Sequence, residues 1–321
     1  MTGAICCAAL VFCLVWVKSC KPQPGAQVSA PLQPSASIAA TATPTENLET
    51  TLASMTQSPE MSLESQAYTT TPEGNTVEAR FPAPTGFERV ALEPGSYQAF
   101  LRALPLKPEG AVVRYHDGGE KPPYNYVAVI DMTLGTRNLQ QCADTLIRYK
   151  AEYLWEADHK GEIAFRFTSG FLCKWTEYAQ GYRASVRGST VDWTRTAAAS
   201  ASRETFDKYL NLVFNYAGTR SLESYETQPV NPEDLAVGDM FLRGGSPGHV
   251  VQVVDMAVNS QTGQRCMLLV QGYMPAQDGQ ILCAVDDVPG MGPWVLVPEN
   301  PEGPFATPEY GFSWDELCRF K

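Results

Sequence analysis

Cys142 and His249 are the residues of this chain best suited to covalent chemistry. Cys142 lies in Asn138-Leu-Gln-Gln-Cys-Ala-Asp144, at the opening of a predicted helix. Free backbone N–H groups and the positive end of the helix dipole there favour a thiolate. His249 ends the stretch Gly238-Asp-Met-Phe-Leu-Arg-Gly-Gly-Ser-Pro-Gly-His249 and heads an apolar run that reads as a strand. A thiol and an imidazole that meet form a nucleophile for acyl transfer. The other two histidines, His116 and His159, sit in polar, turn-like contexts that suit exposed loops.

These residues need elements to hold them. Asn138 and Gln141 form an Asn-x-x-Gln capping box, which places Cys142 at the fourth position of a helix from about Leu139 to Ala157. Leu139, Cys142, Ala143, Leu146, Tyr149, Tyr153 and Leu154 share one face, where a free cysteine also serves as a small hydrophobe. Asp144, Arg148 and Glu152 form an i,i+4 charge ladder on another. Segments 95–104 and 202–216 read as further helices, with Ser96 and Ser202 at their starts. Segments 124–132, 163–168, 238–242, 249–258 and 266–273 read as strands, and Ser313 to Phe320 as a closing helical turn. Helices first and paired strands later indicate an α+β fold with an antiparallel sheet.

The N-terminal part has a different character. About 13 apolar residues from Ile5 to Val17 suit a signal h-region better than a full membrane span. They end in Val17-Lys-Ser-Cys20, which resembles a bacterial lipobox with Cys20 as the lipidated residue. Residues 1–20 are therefore expected to be a lipoprotein signal peptide. Residues 21–75, rich in Pro, Ser, Thr, Ala and Gln, are expected to be a disordered tether, because they cannot bury enough apolar surface to offset ordering entropy. Such a coil spans on the order of 40 Å. Residues 76–321 form the single globular domain. Anchoring by lipid places it on the bacterial cell envelope, as a periplasmic or outer-membrane lipoprotein.

Bulk properties narrow the function further. A formal net charge of -11 disfavours a nucleic-acid surface. No phosphate-binding glycine loop, His-x-x-x-His or Cys-x-x-Cys spacing occurs, so no cofactor and no metal are expected. Past the leader lie Cys142, Cys173, Cys266, Cys283 and Cys318. An exported domain permits disulfides, with Cys266 and Cys283 as one candidate pair and Cys142 as the expected free thiol.

The two opening segments, with Gln271-Gly-Tyr-Met-Pro-Ala-Gln277 following, resemble the papain-like NlpC-type and CHAP-type cell-wall amidases. That resemblance implies Cys142 as nucleophile, His249 as base and Gln271, on the next strand, as the residue orienting the imidazole. The cysteine context departs from the amidase pattern, with Gln141-Cys-Ala-Asp144 in place of Asp-Cys-Ser-Gly. Residues 158–232 would be an insertion or an extra subdomain. Over nearly the whole domain, Leu139–Asp144, Arg148–Tyr153, Tyr216–Thr219, Gly248-His249 and Gln271–Gln277 resemble an uncharacterised bacterial lipoprotein family known only as a domain of unknown function.

The expected activity is a tethered papain-like cysteine hydrolase, a peptidase or amidase, cleaving an amide bond in peptidoglycan peptides. Asp255, six residues along the strand from His249 and so on the same face by strict alternation, is a second candidate to hold the imidazole. The Cys142 N–H with the Gln140 or Gln141 side chain would support the oxyanion. Trp155, Trp175, Tyr178 and Trp193 are candidate cleft-lining aromatics. Two alternatives stand beside this reading: a non-catalytic lipoprotein binding a glycan, peptide or protein partner on the same fold, and a carboxylate-based enzyme.

Overall fold

Alternating apolar segments pair into one large sheet in the computed structural model, which describes residues 67–321. The expected signal segment 1–20, Cys20 and most of the tether 21–75 lie outside the described residues. The last tether residues do not stay apart. The Tyr68 hydroxyl donates to Pro82 O at 2.8 Å and accepts from Trp294 Nε1 at 3.2 Å, so packing begins ahead of residue 76.

The fold is mixed α and β, with a mostly antiparallel sheet and few helices. The elements that frame the site are α1 (Tyr97–Arg102), β1 (Tyr126–Val129), α2 (Cys142–Glu156), α3 (Arg203–Tyr216), β2 (Thr227–Pro229), β3 (Met240–Arg243), β4 (His249–Asn259), β5 (Arg265–Gln271), β6 (Gln280–Leu282) and β7 (Leu317–Phe320). The sheet runs β1-β6-β5-β4-β3-β7-β2, and short strands at Phe87–Arg89 and Val295–Leu296 join β4 and β5. The long apolar run of β4 is buried on both faces, which explains why it reads as continuous rather than alternating.

Three expectations change. The C-terminal segment forms only a short 3-10 turn, Trp314–Glu316, and then strand β7. Glu316 accepts from the Ser313 N–H and closes that turn, but Leu317 and Cys318 pair with Phe241 and Met240 of β3. Secondly, the charge ladder of α2 holds only at its Arg148–Glu152 rung, 3.2 Å apart, because the Asp144 carboxyl accepts from the Gln141 N–H instead. Asp144, Arg148 and Glu152 are all buried, and Arg203 and Asp207 of α3 close over Arg148 and Glu152. Thirdly, all five described cysteines are free, so Cys266 and Cys283 do not pair.

Residues 158–232 hold two hairpins (Ala164–Arg166 with Leu172–Lys174, and Tyr182–Arg187 with Thr190–Arg195), the helix Trp175–Ala179, and α3. Of the candidate cleft-lining aromatics, Trp175 and Tyr178 are buried in the core of this region and Trp155 and Trp193 pack half-buried against it. The Trp155 ring lies 4.4 Å from Phe206 and 5.6 Å from Trp175, and Trp193 packs on Phe171 at 5.6 Å.

Two glycines bring the chain close where the candidate residues lie. A Cβ on Gly272, just past β5, would sit 2.1 Å from Thr145 Oγ1 and 3.0 Å from Gln141 O. The absence of a side chain there lets the N-terminus of α2 dock on the sheet. A Cβ on Gly248 would meet Gly245 O and Thr219 Oγ1 at 2.6 Å each.

Candidate active site

Cys142 is the first residue of α2, with Gln141 as N-cap, rather than the fourth residue of a longer helix. Asn138 lies outside the helix. Its Oδ1 accepts from the Ala276 N–H at 2.8 Å and from Gln141 Nε2 at 3.2 Å, tying the loop after β5 to the helix start. Asp144 supplies the cap instead, accepting from the Gln141 N–H through Oδ2 at 3.1 Å. The later start leaves the N–H groups of Cys142 and Ala143 without intrahelical partners.

Cys142 is 6% exposed and lines a cavity of about 260 Å³ with Gln141, Asp144, Thr219, Gly248 and Met274. Burial pushes its thiol up to about 11, and Asp144 acts in the same direction. The N–H groups of Ala143, Cys142 and Val250 favour the thiolate but do not outweigh burial. The carboxyl of Asp144 is itself pushed well up by burial, and its Oδ1 has no partner. A larger hollow of about 480 Å³ beside Trp294 and Trp314 has neither Cys nor His in its lining.

Val250, whose N–H favours the Cys142 thiolate, follows His249 directly. The sulfur and the imidazole therefore belong to one neighbourhood at the head of β4, although no hydrogen bond joins them among the described residues. His249 is 2% exposed. Its ring packs against Tyr273 at 4.8 Å, Tyr310 at 5.1 Å and Phe312 at 5.9 Å. Burial lowers its pKa to about 4, with hydrogen bonding to Gln271 and the charge of Glu309 opposing. At neutral pH the resting pair is thus thiol and neutral imidazole. Moving the proton from sulfur to nitrogen is uphill by roughly 10 kcal/mol before the two charges attract.

Gln271 is the polar residue at the imidazole. Val270 pairs with Gln252, so Gln271 falls opposite Val251, on the same face as His249. His249 Nε2 and Gln271 Oε1 are 2.8 Å apart. Gln271 Nε2 donates to Glu309 Oε2, and Lys121 Nζ lies 2.6 Å from the same oxygen. Neither Glu309 nor Lys121 was expected from the sequence.

Asp255 is not at the imidazole. Leu268 pairs with Asp255 and Leu269 with Val253, so Val254 is an extra residue in β4. This bulge reverses the alternation and puts Asp255 on the face opposite His249. There its oxygens accept from Arg89 Nε at 2.6 Å and Arg102 Nε at 2.7 Å. Gln140 is also elsewhere: its Oε1 accepts from Arg148 Nη1 at 3.2 Å, and it does not line the cavity. Gln141 does line it, so of the two glutamines it is the one beside the sulfur.

Among the described residues no cluster of three or more His, Cys, Asp or Glu could hold a metal ion. No curated protein and no solved structure matches the chain. One family model matches residues 77–319, from ahead of α1 into β7, and spans all the site residues just described. The chain accordingly belongs to the family described as domain of unknown function (4846).

Proposed function

We propose that this domain is a cysteine hydrolase of papain-like arrangement that cleaves an amide bond. The observation that carries this reading is the His249–Gln271 hydrogen bond across neighbouring strands, at the sheet end where the Cys142 helix docks. In the proposed reaction the Cys142 thiol attacks the amide carbonyl as its proton passes to His249 Nδ1, the ring nitrogen not engaged by Gln271. Concerted transfer avoids the costly resting ion pair. The unpartnered N–H groups at the start of α2 stabilise the oxyanion, with Gln141 beside them. The C–N bond breaks, the imidazolium returns the proton to the leaving amine, and water hydrolyses the thioester to regenerate the thiol.

The substrate class we propose is a peptidoglycan peptide, reached by a domain anchored through Cys20 in the bacterial cell envelope. The lipobox-like segment and the polar tether support that placement. The test is incubation of purified peptidoglycan with the full chain and with Cys142→Ala. New amine and carboxyl termini are expected with the first and not the second. Equal release by both refutes the assignment of Cys142.

A second reading, binding without cleavage, is favoured by the burial of His249 and by the missing Cys142–His249 hydrogen bond. Retention of peptidoglycan by both proteins with no new termini supports it over the first.

A further inference from the structure

Glu309 collects three donors on one oxygen. Lys121 Nζ approaches Oε2 at 2.6 Å, Gln280 Nε2 at 3.5 Å, and Gln271 Nε2 donates to it as well. Lys121 is 6% exposed, so this is an ion pair largely removed from water. A carboxylate paired with an ammonium only accepts hydrogen bonds. The Gln271 amide therefore has one orientation. Reversing it would set Oε1 against Glu309 Oε2, two acceptors at hydrogen-bond distance. With Nε2 committed to Glu309, Oε1 faces His249, and His249 Nε2 must carry the proton. The lone pair of the neutral ring then lies on Nδ1.

We propose that Glu309, held by Lys121, is a positioning residue that fixes the tautomer of His249 through Gln271. Glu309 does not touch the imidazole; it acts by denying the amide its other orientation. Lys121 and Glu309 come from loops 188 residues apart, and both close on the end of β5. The catalytic consequence, a base lone pair confined to Nδ1, rests on the hydrolase reading. The tautomer itself does not.

The test is ¹⁵N–¹H correlation of the histidine rings in the full chain at pH 7.5, with His249→Gln used to assign the signal. The native protein is expected to show His249 protonated on Nε2 alone. A native ring protonated on Nδ1 overturns the proposal without any variant. Glu309→Gln replaces the acceptor with a group that accepts or donates, so the Gln271 amide is free to turn. A second His249 tautomer is expected to appear. The double variant Glu309→Leu with Lys121→Met leaves no buried charge unpaired and is expected to give the same result. A folded variant of either kind that keeps the single Nε2–H form overturns the role of Glu309. If the domain cleaves amides, kcat for Glu309→Gln falls by the fraction of molecules in the wrong tautomer, with KM unchanged. Failure of the peptidoglycan assay would refute the hydrolase and leave the ring signals readable.

Discussion

Acidification is expected to destabilise this domain through His249 before most carboxylates protonate. The imidazole is held neutral in the fold, with a pKa lowered by burial from 6.5 to about 4. Above pH 6.5 neither state binds the proton and the residue contributes no pH dependence. As pH falls below 6.5 the unfolded chain takes up a proton that the folded chain refuses, so stability is lost. The loss is complete once pH drops through the folded value. At about 1.4 kcal/mol per pH unit, a window of 2.5 gives a loss of about 3 kcal/mol, with about 2 kcal/mol of it present at pH 5. Urea unfolding at pH 7.5, 6, 5 and 4.5 would measure this for the native chain and for His249→Gln. The glutamine variant starts from a different stability, but its curve is expected to be flatter by the stated amount because every other titrating group is shared. Parallel curves would refute the buried neutral imidazole.

Three further outcomes follow from the geometry. With its thiol near 11, Cys142 is expected to alkylate slowly at pH 7.5, where the thiolate is about one part in 3,000, and tenfold faster per pH unit until that value is reached; rapid modification of Cys142 at neutral pH in mass-spectrometric peptide mapping would contradict its burial. Asp255→Asn removes the carboxylate from two arginines and is expected to cost about 3–5 kcal/mol in urea unfolding, and a change below about 1 kcal/mol would show that the pairing is not structural. Gly272→Ala drives a methyl into Thr145 and is expected to cost about 1–3 kcal/mol, partly restored by Thr145→Ala in a thermal melt; no loss would mean that α2 docks more loosely than described.

What the sequence revealed depended on how local each signal was. The helices from Ser96 and Ser202 follow from cap residues that act within one turn, and both serines accept from the expected N–H groups. The adjacency of Gln271 to His249 came from a motif with its strand order. The β4 bulge was invisible, because an extra residue in an apolar run leaves no mark in composition, and Asp255 was misplaced by simple alternation. Strand β7 was read as part of a helical turn because Trp314–Glu316 does form one local turn, and the strand pairing that follows it lies in no short window. Glu309 and Lys121 are ordinary charged residues in loops, and only the folded chain brings them to one amide. The start of α2 was missed because Asn138 has cap chemistry but spends it on the Ala276 N–H.

The extra residue in β4 has an electrical consequence. Were Val254 to stay in regular alternation instead of bulging, the Asp255 carboxylate would turn to the side of the sheet that carries the imidazole. With the bulge, the full charge is handed to Arg89 and Arg102 on the opposite face, and the hydrogen-bond partner of the His249 ring is a neutral amide. The bulge works as an insulator: it lets one continuous strand hold an ionic anchor at one end and a proton acceptor of low basicity at the other, without the first tuning the second.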